Sequence, residues 1–148
     1  MAESLDDFDD EDRQLRFDVR VGFKHPSVTA QEISAALGWK ADRMWTVGEP
    51  RTTPTGSRLP GVQRQTYWAR WRRFEGKRAF FSEVMKTLKA LSRKREFIQN
   101  LVRTGGEATF AISLPGDRNI GDVLKPDQLK ALGEAGFDLS IEVFPNMQ

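Results

Sequence analysis

Residues 15–23, LRFDVRVGF, alternate apolar and polar side chains without a fault. Leu15, Phe17, Val19, Val21 and Phe23 fall on one face, and Arg16, Asp18, Arg20 and Gly22 on the other. A period of two buries one side only in an extended chain, so this stretch is a half-covered strand. Such a strand needs neighbours for its backbone and a second layer for its apolar face. The alternation returns at Ala108, Phe110, Ile112 and Leu114, and again at Phe137, Leu139, Ile141 and Val143. Residues 43–47, RMWTV, read as a short strand and 66–74, TYWARWRRF, as a longer aromatic one.

Helical periods separate these strands. In HPSVTAQEISAALG, Thr29 is placed as N-cap, Glu32 completes a capping box, and Gly38 ends a helix over about 30–37. Residues 79–103 carry Phe81, Val84, Leu88, Leu91, Ile98 and Leu101 at three- and four-residue spacing, which predicts one long amphipathic helix closed by Gly105 and Gly106. A third helix begins at Pro126, turns Leu129 and Leu132 inward, and stops at Gly136. The order β-α-β-β-α-β-α-β, with strands polar on one face, predicts an α+β two-layer sandwich. Its expected form is a ferredoxin-like antiparallel sheet of about five strands, helices stacked on one face. That fold hosts many activities and licenses none by itself.

Between the second and third strands lies GEPRTTPTGSRLPGVQRQ, residues 48–65, with three Pro and three Gly and no regular element to be expected. Connections this long are uncommon in compact domains unless they serve a function. Arg51, Ser57 and Arg58 form a cluster of hydroxyl and guanidinium groups suited to an anion or a partner, with Trp45 anchoring its start. No Walker loop is present, because Gly56 is followed by Ser57 and Arg58.

Composition narrows the chemistry. The 148 residues fit one domain, expected over 14–148 behind an acidic disordered tail at 1–13. Without cysteine and with one histidine, His25, thiolate chemistry and a multi-histidine zinc site are excluded, and neither a metal nor a cofactor is expected. No secretory signal or apolar span is visible, so a cytoplasmic protein is expected. Residues 1–12 carry seven acids and no base, which leaves 23 basic against 14 acidic residues in the remainder. His25 precedes Pro26 at a strand end, where it either closes the strand or acts as a ligand.

The aromatic strand tests nucleic-acid binding. One phase places Tyr67, Ala69 and Trp71 in the core with Trp68, Arg70 and Arg72 outside; the other would bury two arginines, at several kcal/mol for each uncompensated charge. On the first phase, the open face sets Arg16, Arg20, Arg70 and Arg72 against Asp18, Glu107, Asp138 and Glu142. This balance suits cross-strand ion pairs better than a polyanion track.

His25-Pro26, Glu32-Ile33, Leu37-Gly38, Trp45, Gly48 and Arg51, followed by Tyr67-Trp68, resemble an uncharacterised bacterial family, the domain of unknown function 4279, over about residues 15–144. The resemblance implies a compact bacterial cytoplasmic domain with a role in interaction, and no ligand residues. The expectation is a non-enzymatic module, such as an immunity or regulatory protein, that binds a protein partner. His25, Trp45, Arg51, Ser57, Arg58 and Trp68 are the candidate binding residues. The alternatives are nucleic-acid binding through the basic helix and arginine-rich strand, and a small anion-binding or hydrolytic enzyme.

Overall fold

Residues 15–145 are described by a computed structural model; the expected acidic tail lies outside them. The first strand, β1 (Arg16–His25), is the middle of a five-stranded sheet ordered β2-β5-β1-β6-β7. Its neighbours β5 (Thr66–Glu75) and β6 (Glu107–Pro115) both run antiparallel to it. The short β2 (Arg43–Trp45) adds antiparallel to β5 at one edge. At the other edge β7 (Phe137–Phe144) runs parallel to β6. The α+β class stands, but the sheet is mixed, which corrects the expected antiparallel one. The cause is the connection after β6, which passes through a helix and returns the chain in the same direction.

All helices lie on the face that carries Phe17, Val19, Val21 and Phe23, and one core cluster joins them to the sheet. Helix α1 (Ala30–Leu37) has the expected capping box. Thr29 Oγ1 accepts from the Glu32 N–H at 3.1 Å, Glu32 Oε2 accepts from the Thr29 N–H at 2.8 Å, and Gly38 is left-handed. The expected long helix is instead two helices, α2 (Phe80–Ala90) and α3 (Arg95–Arg103), joined through a 3-10 turn at Ser92–Lys94. Leu91 and Lys94 leave helical geometry with ψ of 3° and 8°, and the chain bends so that Leu91 and Ile98 both reach the core. Helix α4 (Pro126–Ala135) buries Leu132, but Leu129 is exposed, against expectation. In β7 only Phe137 is fully buried. Ile141 and Val143 are exposed because β7 is an edge strand whose far end the helical layer leaves uncovered.

The segment 48–65 is a second correction. It folds into a two-stranded ribbon of β3 (Pro50–Thr52) and β4 (Arg58–Val62), with Pro50 opposite Val62, Thr52 opposite Arg58 and a bulge between. Both strands are exposed along nearly their whole length, so no alternation betrays them. Their order comes from backbone pairing. Gly48 donates to Gln63 O and Gln63 to Glu49 O, each at 2.8 Å, and at the tip Thr53 donates to Ser57 O at 2.8 Å.

Candidate functional site

His25 is buried at 2 % exposure and every polar atom of its ring is used. Nδ1 accepts from the Ser27 and Val28 N–H groups at 3.0 and 2.9 Å. Thr104 Oγ1 donates to Asn100 O, so the 2.8 Å contact between His25 Nε2 and that oxygen is an Nε2–H donation. Burial holds the imidazole below its ordinary pKa against the raising influence of Glu32, which favours this neutral form. His25 therefore pins the β1–α1 turn to the end of α3, and Glu32 is engaged in its capping box.

Trp68 does not face solvent. Positions opposite each other on paired strands share a face, and β5 sets Trp68, Arg70, Arg72 and Phe74 against Phe23, Val21, Val19 and Phe17 of β1. Trp68 is 0 % exposed, packs on Phe23 at 5.6 Å and donates Nε1–H to Ser34 Oγ of α1 at 2.9 Å. The expected phase of this strand is inverted, and Tyr67, Ala69 and Trp71 face away from the helices. The inverted phase escapes the burial penalty because the helical layer stops short of this part of β5. Arg70 is half-buried, Arg72 is exposed, and their guanidinium carbons lie 4.8 Å and 5.3 Å from the Trp39 and Phe74 ring centres.

The remaining candidates gather at the ribbon. Trp45 and Arg51 line a recess of about 610 Å³ with the segment from Pro60 to Gln65. Trp45 donates Nε1–H to Gln65 O at 3.1 Å, stacks on Tyr67 at 4.6 Å and 24°, and carries the Arg43 guanidinium over its ring at 5.1 Å. Arg58 sits opposite Thr52, and Ser57 is in the tip, where its N–H donates to Thr53 Oγ1 at 3.0 Å. Arg51, Arg58 and Arg64 are exposed and form no ion pair among the described residues. Thus the fold gathers Arg51, Ser57 and Arg58 in the ribbon, sets Trp45 of β2 beside Arg51 in the recess, and separates them from His25 and Trp68. Tyr67 and Trp71, expected in the core, lie on the open side of the sheet, as does Arg43.

Two cross-strand ion pairs lie on the open face. Arg73 binds Asp18 through two nitrogens at 2.9 and 3.3 Å, and Arg20 lies 3.9 Å from Glu142. Among the described residues no group of three or more His, Cys, Asp or Glu could hold a metal, and no helix is long and apolar enough to cross a membrane.

Fold and site together define a class: an α+β domain with a mixed sheet, helices on one side, and an arginine-bearing ribbon beside a stacked Trp–Tyr pair. The chain belongs to the family described as Domain of unknown function (DUF4279), whose model matches residues 17–145. Comparison with curated proteins and with solved structures gives no match.

Proposed function

We propose that the protein is a non-enzymatic interaction module whose ribbon grips an acidic surface of a protein partner. The observation that carries this reading is the ribbon itself: it projects from the sheet, is ordered by its own ladder, and presents Arg51, Arg58 and Arg64, which have no counter-ion among the described residues, beside the Trp45 recess. Cationic rim residues of this kind set association rate and partner choice, while a neighbouring aromatic supplies the desolvated contact. Regulation or immunity is the setting such a module would serve, and the partner's identity would decide between them.

Nucleic-acid binding finds less support. Arg73 is held by Asp18, Lys86 by Glu83 and Arg95 lies 3.8 Å from Glu134, so part of the positive charge on the strand and helix is locally offset. A hydrolytic role for His25 is weakened by the use of both its ring nitrogens. The double variant Arg51→Glu/Arg58→Glu is expected to keep the native melting temperature and lose partner capture in a pull-down. Unchanged capture would remove the ribbon from the interface.

A further inference from the structure

On the helix side of the sheet, an open groove of about 190 Å³ lies between Trp39, which follows α1, and the outer face of α2. Its floor breaks the pattern of the core. Along β1 the helix-side positions are Val19 and Val21, but the residues facing them on β5 are Arg72 and Arg70. Two cations on the inner row of a sheet contradict the local rule of apolar residues inward, and such breaks concentrate at functional sites. The arginines are also held in place: the Arg70 guanidinium lies over Trp39 and that of Arg72 over Phe74. Stacking of this kind offsets part of their desolvation and restricts their rotamers without neutralising their charge.

No carboxylate among the described residues pairs with either arginine. The acid that lines the groove is already occupied. Glu83 is buried, and its Oε1 takes Lys77 Nζ at 3.3 Å and Lys86 Nζ at 3.1 Å. The groove therefore combines apolar side chains, a flat indole wall and two guanidinium groups without a counter-ion among the described residues. Two residues apart on one strand, these forks start roughly 6.6 Å from each other and both line the same groove. A space of about 150 Å³ is enough for a benzene ring, so the volume admits one ring or a short chain and not a drug-sized molecule.

From this geometry we infer that the groove is a binding site for a small organic anion, a carboxylate or phosphate ester carried on a single ring or short apolar chain. The oxyanion meets Arg70 and Arg72, and the apolar part lies on Val19 and Val21 against Trp39. This site is separate from the ribbon and does not rest on the function proposed for it.

The test is calorimetric titration of the full chain with benzoate, hexanoate, phenyl phosphate, inorganic phosphate and benzyl alcohol. At least one of the three organic anions is expected to bind at millimolar concentration or below. Inorganic phosphate and benzyl alcohol, each lacking one half of the ligand, should bind about tenfold more weakly or worse. Arg70→Met and Arg72→Met should each weaken binding about ten- to hundredfold, the worth of a charge-assisted hydrogen bond. Ala90→Phe, at the exposed end of α2, fills the groove without touching the arginines and should abolish binding with the melting temperature retained, which keeps the test decisive should an arginine variant misfold. Absence of binding by all three organic anions, equal binding of inorganic phosphate, or undiminished binding in Ala90→Phe would overturn the site. The ranking of benzoate against phenyl phosphate identifies which anion chemistry it takes.

Discussion

Trp68→Ala and Trp71→Ala, three residues apart on β5, are expected to have opposite consequences. Trp68 is 0 % exposed, packs on Phe23 and donates to Ser34. Its truncation removes a buried indole from between sheet and α1, a class of change that costs about 3–5 kcal/mol, and the lost hydrogen bond contributes about 1 kcal/mol within that range. At roughly 2–4 °C per kcal/mol for a chain of this size, the melting temperature should fall by about 6–20 °C. Trp71 is 43 % exposed on the opposite face, and its truncation should cost about 1 kcal/mol or less. Urea denaturation followed by circular dichroism reads both, provided the slope with denaturant is unchanged. A larger loss for Trp71 than for Trp68 would mean that β5 is turned by one residue, since a slip of one exchanges the faces of the whole strand. The groove at Arg70 and Arg72 would fall with it.

Acid should destabilise the protein in two windows. The folded-state pKa of His25 lies below its ordinary 6.5, so stability is complete above about that pH and is lost as the pH falls from there toward the depressed value. For Glu83, burial alone would raise the pKa, but hydrogen bonds from Lys86 and Lys77, and their charges, hold it below 4.5, which opens a second loss below that pH. Because the chain has one histidine, urea midpoints measured from pH 7 to 5 should decline in the wild type and flatten in His25→Gln; a flat wild-type profile would contradict the buried neutral imidazole. Two glycines offer a matched pair in thermal melts. A Cβ on Gly106 would meet Leu101 O and Lys24 O at 2.7 Å and His25 Cδ2 at 2.9 Å, so Gly106→Ala should destabilise by about 1–3 kcal/mol through overpacking. Gly133, inside α4 with open space around it, should gain about 0.5–1 kcal/mol as alanine.

What could be read in advance follows from where burial imposes a period. The β1 alternation and the Thr29–Glu32 box are local signals, and both are realised at the expected residues. The ribbon gave no such signal, because a pair of strands exposed along nearly its whole length is held by backbone bonds that leave no mark on the side-chain pattern. The facing of β5 is hidden for a related reason. The sequence alone assigns Arg70 and Arg72 the full cost of covered charges, but the helical layer ends before it covers them, and Trp39 and Phe74 receive their guanidinium groups. The break at Leu91–Lys94 occurs without proline or glycine, so nothing in the apolar stripe marks it. At the candidate site, Trp45, Arg51, Ser57 and Arg58 are adjacent in sequence and stay together in space. Placing Trp68 and His25 required knowing which strands pair and which helix lies above them.

The ribbon's role is tested most directly by a photo-activatable side chain placed in living cells of the source organism. One version carries it at Ser57 in the ribbon tip and another at Asp127 on α4, which packs at the opposite edge of the sheet. The account predicts a covalent protein adduct from position 57, insensitive to nuclease, missing from position 127, and abolished by Arg51→Glu/Arg58→Glu. A nuclease-sensitive adduct, equal labelling from both positions, or an adduct unchanged by the charge reversal would contradict it.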